Sequence, residues 1–131
     1  MKSSMERASS SSFELFAWFF MRISGVVLLV MAVFHLFYMH FVIGVEHMDF
    51  NTIAGRWQNP LWRIFDFFLL AFALLHGMNG LRVVLDDYLS ARPGWRAFTK
   101  AFVFLLVVGL VSIGGFIIFT FQVPLAVAVV P

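Results

Sequence analysis

The sequence predicts an all-α membrane protein with three transmembrane helices, and three observations predict it. Hydrophobic residues make up 62% of the 131-residue chain and charged residues 12%, with 18 phenylalanines, which leaves too little polar surface to cover a water-soluble globule of this size. Three apolar runs, roughly 16–43, 61–85 and 98–123, each reach the ~20 helical residues needed to cross a ~30 Å hydrocarbon core. Cysteine is absent, so disulfides and thiolate metal sites within the chain are excluded and histidine is left as its nitrogen ligand. A net charge of +2 with scattered basic residues gives no footprint for nucleic acid.

Taken in order, residues 1–12 are serine-rich and read as a flexible cytoplasmic tail. Residues 13–131 form one three-helix transmembrane domain, with helices at about 13–43, 61–89 and 97–123. Ser11 and Glu14 have the spacing of a capping box at the start of the first helix. The tail before that helix is long and its apolar stretch extended, which argues against a cleavable signal peptide. Pro93-Gly94 marks the turn between the second and third helices. Lys2 and Arg7 precede the first helix and Arg92, Arg96 and Lys100 flank the second turn, whereas the 44–60 loop sets Arg56 against Glu46 and Asp49. This bias puts the amino terminus in the cytoplasm, with Trp18 and Trp95 at the inner headgroups and Trp57 and Trp62 at the outer ones. The chain has no internal repeat of the kind that builds a transporter from inverted halves.

Polar residues within the spans carry the functional signal. His76 falls in the middle of the second helix, about 12 residues or ~18 Å from Tyr88 at its inner end. At 100° per residue, Asn79 and Gly80 share its face, and Asp87 returns to within about 20° of it. Gly77 and Gly80 remove bulk beside the imidazole, which suits either a close neighbouring helix or a flat macrocycle. His76 therefore reads in two ways, as a hydrogen-bonding contact between helices or as an axial ligand to haem iron. In the first helix, Arg22 can snorkel to the inner interface to meet a lipid phosphate, a propionate or a quinone carbonyl. Ser24 offers a hydroxyl nearby, although a serine in a membrane helix commonly bonds back to the preceding turn. His35 is a candidate ligand for a second haem or a packing residue, and His40 and His47 approach the outer surface. Asp86 and Asp87 are adjacent and point about 100° apart, so they are no acid dyad. Arg82 and Asp86 read as the helix meeting water and the basic loop.

Together, His76-Gly77, Gly80 and Val84-Leu85-Asp86-Asp87-Tyr88 resemble the H-x3-G-x6-D-Y segment in the hydrophobic membrane anchor subunit of bacterial succinate dehydrogenase, also called succinate:quinone oxidoreductase or complex II. Chain length, three spans and an arginine near the head of the first helix extend the resemblance over most of the chain, while the third helix is generic. The resemblance implies a multi-pass protein of the bacterial plasma membrane that packs with a companion membrane anchor into a haem-binding helix bundle. It also implies a flavoprotein and an iron–sulfur subunit as further partners, with FAD and the clusters held there. His76 matches the axial ligand of haem b, opposite a histidine of the companion anchor. Tyr88 matches the tyrosine that bonds a carbonyl of the quinone, menaquinone or ubiquinone, and Asp87 its acidic neighbour. Arg22 resembles the arginine beside the haem propionates and quinone pocket, and Arg22-Ile23-Ser24-Gly25 echoes an R-x-S-G element better known from the companion anchor, which would bring Ser24 to quinone. Two other readings stand beside it: the anchor of a fumarate reductase, and a non-redox membrane scaffold or transporter component.

Overall fold

In a computed structural model, which describes residues 2–121 and the side chains from Ser12 onward, the described residues are helical apart from short connections. Helix α1, Lys2–Phe37, passes into a π-helical segment, Tyr38–Gly44, and a 3-10 turn, Val45–His47. Short helix α2, Phe50–Arg56, lies in the connection, followed by α3, Pro60–Tyr88, and α4, Pro93–Thr120. Three segments, Ser12–His47, Pro60–Tyr88 and Pro93–Thr120, are long and apolar enough to cross a membrane. The chain is a multi-pass integral membrane protein.

Several boundaries differ from expectation, each for a local reason. Helix α1 already includes the serine-rich residues expected as a tail, so positions 11 and 14 lie inside the helix and not at its start. The Glu14 carboxylate is instead engaged by Arg82 of α3. Pro93 does not make the turn but opens α4. Its fixed φ suits the first helical position and its missing N–H has no partner to lose there. The turn itself is made by the residues between Leu89 and Arg92, whose backbone N–H donates to the Leu89 carbonyl at 3.0 Å. Helix α2 is an addition to the three expected elements. It is capped by Asp49, whose carboxylate accepts from the Thr52 N–H at 2.7 Å; that bond and one from the Thr52 hydroxyl hold the Asp49 carboxyl below the ordinary carboxylate range. Gly44 has φ +83°, a conformation side chains rarely adopt, and there the first long helix ends. Residues 122 and 123, expected to close the third helix, lie outside the described residues.

Helix α3 is central and antiparallel to both neighbours. Its end meets the start of α1 through Arg82 and Glu14 and the start of α4 through Asp86 and Lys100, and its beginning meets the end of α4 through Arg63. The packing is inside-out relative to a soluble protein: Phe16, Leu61, Phe41 and Phe116 are exposed, while Ser24 and Asn79 are buried. Small residues let the backbones approach, as expected where lipid supplies no hydrophobic drive between helices. A Cβ on Gly80 would stand 3.4 Å from Met21 of α1, and one on Gly115 would stand 3.0 Å from the Phe67 ring of α3.

Candidate functional site

Midway along α3, His76 faces α1. Its Nδ1 lies 2.8 Å from Ser24 Oγ, and Ser24, 1% exposed, also reaches the Phe20 carbonyl at 2.5 Å. Gly25 makes room for the ring, because a Cβ there would sit 3.3 Å from His76 Cε1. On the other side of the histidine Gly77 opens to free space, with nothing within 4 Å of a built Cβ. The half-buried imidazole is thus held at one nitrogen by α1 and bordered by two positions without side chains.

One turn on, Asn79 Nδ2 donates to the Ala17 carbonyl at 3.1 Å, and its Oδ1 accepts from Arg82 Nε at 3.2 Å. Arg82 makes a forked pair with Glu14, at 2.9 and 3.1 Å, and lies over the Phe13 ring. Asp86 is bonded by the Lys100 ammonium, with Arg96 at 3.8 Å. The stripe expected from periodicity therefore exists in its first two polar members, His76 and Asn79, but continues through Arg82 and Asp86 into neighbouring helices. Asp86 meets the basic residues beyond the turn, as expected, whereas Arg82 is ion-paired with Glu14 and does not simply meet water. Asp87, on the His76 face about three turns on, and Tyr88, about a third of a turn round from it, are both exposed, Tyr88 by 86%, and the structure does not bring either of them to His76. A cavity of about 340 Å³ opens between α1, α3 and α4, lined by Phe13, Asn79, Arg82, Lys100 and Phe104. With both cations already paired, its walls offer shape more than charge.

Of the first-helix candidates, Ser24 is packed between α1 and α3 with its hydroxyl on Phe20 and His76, away from any exterior surface. Arg22 is exposed, its guanidinium 4.1 Å from the Trp18 ring centroid, at the interfacial tryptophan expected there. His35 stacks on Phe65, and its Nε2 is 3.9 Å from Asp66 Oδ1.

That last contact belongs to a polar cluster that sequence reasoning missed. Asp66 is bonded by Arg56 of α2 and by the Trp57 indole N–H at 2.7 Å. Arg56 also reaches Met39 Sδ at 3.1 Å and lies over Trp62. Next to this cluster, Arg63 bonds the carbonyls of Ile118, Phe119 and Phe121 at 2.7–2.9 Å, satisfying acceptors that the end of α4 leaves open. The available signal was Asp66 itself, a carboxylate within an apolar span, which demands a partner.

A family profile, "Succinate dehydrogenase/Fumarate reductase transmembrane subunit", matches residues 3–119. The chain is 26% identical over 86 residues to the succinate dehydrogenase 2 membrane subunit SdhC of Mycobacterium tuberculosis, covering 63% of this chain and 60% of that one. It is 29% identical over 73 residues to the succinate dehydrogenase hydrophobic membrane anchor subunit of Rickettsia felis, covering 56% and 58%. The protein of the same description in Rickettsia typhi is 28% identical over 83 residues, covering 63% and 64%. The chain spans about three fifths of the length of these curated relatives. With the profile covering all three spans and the histidine-bearing central helix, the chain belongs to the succinate dehydrogenase/fumarate reductase transmembrane subunit family.

Proposed function

We propose that this chain is a membrane anchor of a bacterial succinate dehydrogenase, seated in the plasma membrane with its amino terminus in the cytoplasm. It pairs with a second, companion membrane anchor and receives electrons from an iron–sulfur protein that is served in turn by an FAD-bearing flavoprotein. The observation that carries the reading is His76, an imidazole in mid-span on the central helix of a family member, engaged at Nδ1 and flanked by glycines. These surroundings fit a haem b ligand, since the bond to Ser24 uses one ring nitrogen only and Gly77 leaves the neighbouring surface clear. A histidine of the companion anchor would complete the iron's ligands.

Bound there, haem b supplies one-electron exchange. The protein groups do the rest. Quinone reduction takes two electrons and two protons, so the head group must lie where protons arrive. Tyr88, exposed at the end of α3, donates a hydrogen bond to a quinone carbonyl, and Asp87 exchanges protons with water at the same rim. Arg22, on the same side of the membrane, neutralises a propionate or orients the quinone. Gly80 contributes through the close approach of α1 to α3. His35, stacked on Phe65 with its Nε2 3.9 Å from Asp66, would be the ligand of a second haem.

Purification through a tag on this chain tests the proposal. Flavoprotein and iron–sulfur protein should co-purify, with a reduced-minus-oxidised haem b spectrum that His76→Ala abolishes or alters. A haem-free chain purifying alone would leave the scaffold reading, and an unchanged spectrum in His76→Ala would remove His76 as ligand. A second reading, the fumarate-reducing direction, stands beside it because the family's description embraces both enzymes. The ratio of succinate:quinone to quinol:fumarate turnover in the purified complex separates the two.

A further inference from the structure

We infer that Ser24 sets the hydrogen pattern of the His76 imidazole, keeping the ring hydrogen on Nδ1 and leaving Nε2 as the nitrogen with a free lone pair. This deepens the proposed function, and it rests on that reading only for the identity of the metal centre that Nε2 would meet.

The donor count forces the assignment. Ser24 Oγ stands 2.5 Å from the Phe20 carbonyl oxygen. A carbonyl oxygen only accepts, so a hydrogen must lie between the two oxygens, and the serine hydroxyl owns the only one available. The Met21 carbonyl, at 3.5 Å, lies at the limit of contact and can only share the same hydrogen. With that hydrogen committed to the helix backbone, Oγ presents only lone pairs to the ring nitrogen 2.8 Å away. Nδ1 must therefore be the donor, and a neutral imidazole that carries its hydrogen on Nδ1 carries none on Nε2. The reverse arrangement, with serine donating to a bare Nδ1, would leave two oxygens facing each other at 2.5 Å with no hydrogen between them.

Burial makes the choice binding. Ser24 is 1% exposed, so no water can substitute for the serine hydroxyl as acceptor or relieve the carbonyl. Gly25 adds a steric element, because a Cβ there would press to 3.3 Å from His76 Cε1, the ring carbon between the two nitrogens. Ser24 is thus a positioning residue: it acts through the histidine by fixing both ring orientation and tautomer. A metal-ligating histidine is commonly held in this manner at its other nitrogen.

The test has two arms. In the first, the full chain carrying 15N-labelled histidine is placed in bilayers above the imidazole pKa, with the His76 signals assigned by their loss in His76→Gln. The wild-type spectrum should show His76 Nδ1 protonated and Nε2 unprotonated, and in Ser24→Ala the hydrogen should move largely to Nε2. A wild-type ring protonated at Nε2, or a Ser24→Ala spectrum identical to wild type, would overturn the inference. In the second arm, the assembled complex is purified and its haem retention and reduction midpoint measured. Ser24→Ala should lower haem affinity by roughly 10- to 100-fold, as the loss of such an outer partner does, and shift the midpoint, with Ser24→Thr returning both toward wild type. Wild-type haem affinity and midpoint in Ser24→Ala, despite a moved hydrogen, would overturn the role toward the metal. Haem persisting unchanged in His76→Ala would instead sink the haem reading, while the 15N result judges the tautomer independently.

Discussion

A carboxylate within an apolar span needs a cation, and Asp66 has one in Arg56. Their side chains are 10% and 7% exposed, and Trp57 adds an indole N–H to the same carboxylate oxygen. Asp66 Oδ1 and Arg56 Nε have no hydrogen-bond partner among the described residues, so the cluster has little slack. Removing one member strands the other charge in a low dielectric. Asp66→Ala should therefore destabilise the protein by about 3–5 kcal/mol, measured by titrating a denaturing detergent into mild micelles. The double variant Asp66→Ala with Arg56→Ala should recover part of that loss, because it leaves no orphaned charge. A single variant as stable as wild type would show that the pair contributes nothing. At this scale the sequence is informative about depth and poor about partners. Periodicity places His76 and Asn79 on one face, as found, but whether Arg82 meets water or Glu14 depends on a residue 68 positions away. Ser24 is legible as a hydroxyl that bonds the preceding turn, and its bond to His76 is not, because that depends on how α1 and α3 are registered.

Between elements, the seam of α3 with α4 is set by Gly114 and Gly115. A Cβ on Gly114 would collide with Leu70, at the flexible end of a side chain that can swing away. One on Gly115 would meet the Phe67 ring at 3.0 Å, and a planar ring packed against Phe119 has less freedom to yield. Gly115→Leu should thus destabilise the helix pair by about 1–3 kcal/mol through overpacking. Gly109→Ala, on the same helix with nothing within 4 Å of its Cβ, should be neutral or slightly stabilising. The same detergent titration compares them, and equal effects at the two glycines would refute the close-approach account. Sequence reasoning locates all three spans, because their apolar runs satisfy a length requirement imposed by the bilayer itself. It is weaker at the ends. Pro93 reads as a turn because proline and glycine together usually punctuate, yet proline is equally at home as the first residue of a helix. Helix α2 escapes notice because seven residues in a polar connection carry no periodic signal.

Across the whole molecule, polar contacts clamp both ends of the bundle while its middle is held by Ser24, His76 and small residues. At one end lie the Arg82–Glu14 and Asp86–Lys100 pairs; at the other lie Arg56–Asp66 and the Arg63 cap on α4. Within this arrangement Asp87 and Tyr88 stand apart, since they close the same helix as His76 yet face outward with Tyr88 86% exposed. On the proposed function, a quinone needs a hydrogen-bond donor near water, and a tyrosine left outside the chain's own packing would be free to serve a site completed by the partner proteins. Tyr88→Phe removes the hydroxyl and keeps the ring, and an outward side chain bears little of the chain's own stability. In the purified complex that substitution should depress succinate:quinone turnover at least about tenfold, the low end of what a lost hydrogen bond in a reacting site removes. Succinate oxidation measured with a dye that takes electrons ahead of the membrane should remain at the wild-type rate, as should the haem spectrum. The split between the two assays is the informative quantity. A fall in both would mean that Tyr88 supports assembly, and wild-type quinone turnover would remove it from quinone binding altogether.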